Sequence, residues 1–156
     1  MTHTFHTTMR WTGNLGTGTS GYRAYARDHE ITAPLKGSTI FGSSAKTFRG
    51  DERRYNPEEL LVAALSSCHM LAYLHLCADG GIVVTAYEDE AEGSMRLNPD
   101  GSGEFTDATL HPRVTLADES RRTEADALHH RAHELCFIAR SVKFPVACHP
   151  EPPLSS

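Results

Sequence analysis

The sequence predicts an α+β fold. Two long helical patterns are present, the strand patterns are short and cluster before and between them, and the length suits one core. At 156 residues the chain can bury most of its apolar surface as a single domain, residues 1–156. Strands and helices that segregate instead of alternating one for one favour α+β over a parallel α/β sheet.

The composition narrows the function classes. Apolar residues make up 39% and charged residues 22%, which excludes a disordered chain and a disulfide scaffold. A net charge of −5 without a dense Lys/Arg run leaves no nucleic-acid footprint. The longest apolar run, residues 60–65, falls far short of the roughly 20 residues that span a bilayer, so no membrane partner is expected. Residues 1–6 show no cationic region followed by an apolar one. The expected location is the cytoplasm, where thiols rest reduced unless they do redox work.

Taken in order, residues 9–14 read as a short strand that runs into a glycine-rich turn. In residues 21–31, Tyr22, Ala24 and Ala26 alternate with Arg23, Tyr25 and Arg27, as a second strand would. Residues 39–41 form a third, and residues 42–55 a polar loop. The central helix follows. Asn56 suits its N-cap, Pro57 its first position, and Glu59 completes a capping-box variant. Gly80 and Gly81 end it, and its nearly all-round apolarity predicts a buried helix. Residues 82–95 and 104–116 are expected as two strands of a hairpin around the turn Asn98-Pro99-Asp100-Gly101. Residues 118–142 are expected as a second helix, with Ala127, Leu128, Ala132, Leu135, Ile138 and Ala139 facing inward. Four prolines then keep the tail from being helical.

Four cysteines, Cys68, Cys77, Cys136 and Cys148, carry the candidate chemistry. No C-x-x-C occurs and the spacings match no zinc-finger pattern. Cys68 and Cys77 point to opposite sides of one helix, whereas Cys68 and Cys136 lie on two helices that can pack together. Cys77 and Cys148 read as small buried apolar residues. His69 points about 100° away from Cys68 and reads as packed or solvent-facing. His129, His133 and Cys136 share one helix face that could bind a divalent metal, although no fourth ligand is evident.

Asn56-Pro57-Glu58-Glu59-Leu60-Leu61, Cys68 ten residues after Glu58, and Ala132-His133-Glu134-Leu135-Cys136 resemble the OsmC/Ohr hydroperoxide-reductase family. Trp11-x-Gly13 and the strand–helix order extend that resemblance over most of the chain. It implies an OsmC-like fold, antiparallel sheets packed on two long central helices, and an intertwined homodimer with its active site at the subunit interface. It implies a peroxidatic thiolate at Cys68, a resolving thiol at Cys136 and a supporting carboxylate at Glu58. The implied activity is a thiol-dependent peroxidase acting on organic hydroperoxides, with an external dithiol of lipoyl type as reductant. It calls for no cofactor and no metal.

Physical chemistry suits those roles. The thiolate is the reactive form of a cysteine, and a sulfenic acid needs a second thiol before it over-oxidises. Met70, Leu71, Phe137 and Ile138 would supply an apolar surround for an organic peroxide. Glu58 lies about 15 Å along the helix from Cys68, so a bridging arginine is required. In one branch of the family it stands in the first turn, here Leu15-Gly16-Thr17; in the other it precedes a Phe, here Thr47-Phe48-Arg49. Arg49 is the first candidate and Arg27 the second. Phe137 follows Cys136 where many members have proline, so the second helix is expected to run past the thiol. Two rival readings keep the fold: a binding protein for a small apolar ligand, and a metal-binding protein on the histidine face.

Overall fold

A computed structural model describes residues 1–153. The chain forms two compact units, Met1–Leu60 and Leu61–Ser156.

The first unit is a three-stranded antiparallel sheet. Strand β1 (Thr8–Trp11) pairs with β2 (His29–Thr32), with Thr8 opposite Thr32 and Trp11 opposite His29, and β2 pairs with β3 (Ile40–Gly42). The strand expected over 21–31 is confined to its last residues and extends to Thr32. Arg27 causes this by donating back to the carbonyls of Tyr22 and Tyr25, both at 2.7 Å, which folds the segment into turns. The Trp11 indole N–H donates to the Ala26 carbonyl at 2.9 Å, and a Cβ on Gly13 would overlap that same carbonyl. The Trp-x-Gly pair thus fits the chain crossing at Ala26.

Helix α1 (Pro57–Asp79) begins and ends as its sequence dictates. The Asn56 N–H donates to Glu59 Oε2 at 3.1 Å, and the Glu59 N–H donates to Asn56 Oδ1 at 2.8 Å. At the other end Gly81 takes φ 67°, Ile82 N–H donates to the Cys77 carbonyl at 2.8 Å, and Gly81 N–H donates to that of Ala78 at 3.1 Å. This is the Schellman pattern, and glycine supplies its left-handed residue without strain.

In the second unit α1 buries only one stripe: Leu65, His69, Tyr73 and Cys77, four residues apart. The expectation of a helix buried all round is therefore corrected. Leu71, on another face, is 64% exposed. By length and apolarity α1 would also pass as a membrane span, which run length alone did not reveal. Its inner stripe instead joins a core: Tyr73 and Cys77 pack with Ile82, with Val114 and Leu116 of β7 (Pro112–Leu116), and with Ala125 and Ala132 of α2 (Arg122–Leu135).

Both strands expected after α1 are broken in two. Residues 82–95 become β4 (Val84–Asp89) and β5 (Glu92–Leu97); residues 104–116 become β6 (Gly103–Leu110) and β7. The breaks meet at Asp89. One of its oxygens accepts from the His111 N–H at 2.7 Å and the other from the Ser66 hydroxyl at 2.5 Å. One carboxylate thereby ties both strand switches to α1. Strand β4 pairs with β7, while β5, β6 and β8 (Val146–Cys148) form the other sheet. The β5–β6 hairpin is antiparallel as expected, but β8 joins β6 in parallel.

The second helix is shorter than expected. A 3-10 turn, Glu119–Arg121, leads into α2, which stops at Leu135. Its inward residues are Ala125, His129 and Ala132, while Ala127 and Leu135 are exposed. The stripe is set by a buried histidine, which a count of apolar positions does not register. With Leu135 turned outward, no apolar face holds a further turn.

Candidate functional site

Cys68 lies on α1, half-buried, one position before the inward stripe residue His69. Cys136 caps the C-terminus of α2 in an extended conformation, φ −69° and ψ 109°, so the helix does not run past it. It is 1% exposed, whereas the following Phe137 is 79% exposed. Its sulfur accepts the Ala139 N–H at 3.4 Å and its carbonyl accepts the Arg140 N–H at 3.1 Å, which fixes the thiol just beyond the helix. Proline is not needed for that stop.

Cys136 lies near enough to Cys68 for the two thiols to interact. Burial pushes the Cys136 thiol up, the Ala139 amide opposes this, and a hydrogen bond and charge interaction with Cys68 add to the rise. The pair therefore consists of one partly accessible thiol and one buried thiol held in its neutral form. All four cysteines are free. Beside Cys136, Leu135, Phe137, Arg131, Glu134 and Arg140 line an open pocket of about 460 Å³. Of the expected apolar surround, Phe137 faces this pocket, Leu71 is exposed, and Met70 and Ile138 are half-buried.

The other expected residues belong to the first unit. Glu58 is half-buried in the first turn of α1. Arg49 is exposed at φ 64°, with no ion-pair partner among the described residues. Arg27 is fully engaged locally: besides its two carbonyls, its guanidinium lies over the rings of Tyr25, at 4.0 Å, and Tyr22, at 4.5 Å.

A second cluster lies behind the thiols. His69 Nε2 and His129 Nδ1 are 3.0 Å apart, and Cys148 Sγ is 3.6 Å from His69 Nε2. The imidazole planes differ by 5°, and Tyr73 stacks on His129 with centroids 3.9 Å apart. His69 and His129 are 1% and 3% exposed. Burial pulls His69 down to about 4, with nearby His133 adding and Asp89 opposing. Burial, then His69 and Arg122, pull His129 down to about 3. Burial, then Asp89, push Cys148 up to about 12.

The histidine face expected from sequence is corrected here. His129, His133 and Cys136 do not gather their donor atoms; among the described residues the group that does is His69, His129 and Cys148. Sequence reading missed Cys148 because β8 is three residues long and pairs in parallel with a strand far earlier in the chain. His69, four residues before Tyr73 on an apolar helix, reads from sequence as packed or solvent-facing; it is packed, and it belongs to a cluster that the sequence does not mark.

The sequence profile of a family described as OsmC-like protein matches residues 50–151. A comparison with curated proteins finds no match. Among solved structures, an OsmC-like protein of unknown function from Vibrio cholerae is 31% identical, with 96% of this chain and 100% of that one covered and a TM-score of 0.86. The organic hydroperoxide resistance protein OhrB of Bacillus subtilis is 22% identical, with coverages of 96% and 98% and a TM-score of 0.63. The organic hydroperoxide resistance protein OsmC from Legionella pneumophila is 18% identical, with coverages of 97% and 98% and a TM-score of 0.69.

Proposed function

This chain belongs to the OsmC-like protein family, and on that premise we propose that it acts as a thiol peroxidase on organic hydroperoxides. The observation that carries this reading is that Cys68 and Cys136, from two separate elements, lie near enough to interact, one thiol partly accessible and the other buried. Two of the structures it resembles are organic hydroperoxide resistance proteins by name; at 18% and 22% identity they share the fold, and the chemistry proposed for this chain is that of its own thiols.

The Cys68 thiolate attacks the terminal peroxide oxygen, breaking the O–O bond. The sulfur takes that oxygen as a sulfenic acid, and the departing alkoxide takes a proton and leaves as the alcohol. Cys136 then attacks the Cys68 sulfur, releasing water and forming a disulfide. Its neutral, buried state keeps it from competing for peroxide in the first step. An external dithiol, of the lipoyl type, returns both thiols by exchange and is itself oxidised to a disulfide. Glu58 and an arginine support the thiolate. Arg49 is favoured over Arg27, whose guanidinium is already spent on its own loop.

A homodimer completes this reading. Leu71, with Ala63 and Ser67, leaves a weakly polar face of α1 open, and a second copy of the chain would cover it. Sedimentation showing a stable monomer at micromolar concentration would remove that part.

The reading is tested by consumption of cumene hydroperoxide with dihydrolipoamide as reductant. The wild-type protein should turn over, Cys68→Ser should fall to background, and Cys77→Ser should retain activity. Undiminished turnover in Cys68→Ser overturns it.

A further inference from the structure

The buried cluster of His69, His129 and Cys148 plays no part in the thiol chemistry above. Its donors come from three elements, α1, α2 and β8. The polar atoms in it are poorly satisfied: His69 Nδ1 and His129 Nε2 have no hydrogen-bond partner, and neither do the hydroxyls of Tyr73 and Tyr87. Unpartnered polar atoms of this kind are costly in a core, so two buried imidazoles call for a reason beyond apolar packing.

We propose that His69 Nε2, His129 Nδ1 and Cys148 Sγ form a binding site for a divalent transition-metal ion of the zinc class. The three atoms lie within 4.8 Å of one another. Zinc bonds of about 2.0–2.1 Å to nitrogen and about 2.3 Å to sulfur, set tetrahedrally, require about 3.6 Å between a nitrogen and the sulfur. The observed separation of Cys148 Sγ from His69 Nε2 is 3.6 Å. The same bonds require about 3.3 Å between the two nitrogens, against 3.0 Å observed. With near-coplanar rings, the imidazoles now share one proton in an in-plane N–H···N bond. The metal takes the place of that proton, which passes by tautomerisation to the far, unpartnered nitrogen of the same ring so that both imidazoles stay neutral; the nitrogens open by a few tenths of an ångström, the rings turn out of line, and the sulfur moves toward His129.

The donor chemistry fits. Imidazole ligates in its neutral form, and burial keeps both rings neutral at pH 7. The thiol must lose its proton to the solvent on binding, because its surroundings hold it protonated until the ion arrives. Two nitrogens and one sulfur suit zinc and cobalt better than magnesium or calcium, which prefer oxygen. Three protein ligands leave a fourth position for water. This inference is independent of the peroxidase reading, since none of its ligands is a proposed redox thiol.

The test titrates the reduced full-length protein with Co²⁺ and Zn²⁺ in the presence of a chromophoric chelator. One equivalent per chain is expected, with a thiolate-to-cobalt charge-transfer band in the near ultraviolet. Cys148→Ser should abolish that band and weaken zinc binding by at least about tenfold, the least that loss of even an outer-shell partner costs. The Cys68→Ser/Cys136→Ser double variant should keep both. X-ray absorption at the zinc edge of the wild-type protein supplies a readout that needs no variant, and one sulfur with two imidazole nitrogens is expected. Failure to bind one equivalent, a zinc shell with two sulfurs, or a cobalt band lost with Cys68 and Cys136 but kept in Cys148→Ser overturns the proposal. Loss of peroxidase turnover would leave each of these results unchanged.

Discussion

The buried imidazole pair makes the fold acid-sensitive in a way that can be worked out. His69 and His129 are pulled down to about 4 and about 3, chiefly by burial, against about 6.5 in an unfolded chain. A depressed pKa gives stability that is fully present above the unfolded value and is lost as pH falls toward the folded one. The window therefore runs downward from about pH 6.5. Between pH 7 and pH 5.5 the unfolded chain takes up about two thirds of a proton at each site, while the folded pair stays neutral. Each imidazole then costs the fold about 1.2 kcal/mol, and the two together about 2.5 kcal/mol. The assay is urea unfolding at the two pH values with a chelator present. His129→Leu, whatever it does to stability at pH 7, should reduce the loss between the two pH values by about half. Imidazole NMR signals of both residues should show no titration above pH 5 in the wild-type protein. Normal titration of either ring, or a loss of equal size in His129→Leu, would refute the burial argument.

Two further results are expected. Asn56→Ala removes the acceptor for the Glu59 N–H and should cost about 1 kcal/mol, read as a melting temperature lower by about 2–4 °C for a chain of this size. Arg49→Ala should slow alkylation of Cys68 at pH 7 while Arg27→Ala does not; the reverse result would move the supporting role to Arg27, and no effect from either would count against an arginine at the thiolate.

Local signals were legible in the sequence, and long-range ties were not. Asn56, Glu59 and Gly81 act within one helical turn, and their hydrogen bonds are those the residue types predict. Asp89 gave no such signal. It breaks two strands by reaching His111 and Ser66, each more than twenty residues away. The end of α2 is hidden for a related reason: Cys136 turns extended and buries its side chain, with its sulfur held by the Ala139 N–H, and nothing in the local residue pattern marks that stop. Cys148 resembled any small core residue until the parallel pairing of β8 brought it to His69. The thiol pair is marked in the sequence by a family pattern at both positions, not by spacing.

The central claim is that Cys68 takes the peroxide oxygen and Cys136 resolves it, and intact-mass measurement after one equivalent of cumene hydroperoxide tests it most directly. The wild-type protein should lose two hydrogens to an internal disulfide. Cys136→Ser should instead gain one oxygen, and Cys68→Ser should keep its mass. Cys77→Ser and Cys148→Ser should behave as wild type does. Unchanged mass in the wild-type protein, or equal oxidation of all four cysteines, would contradict the account.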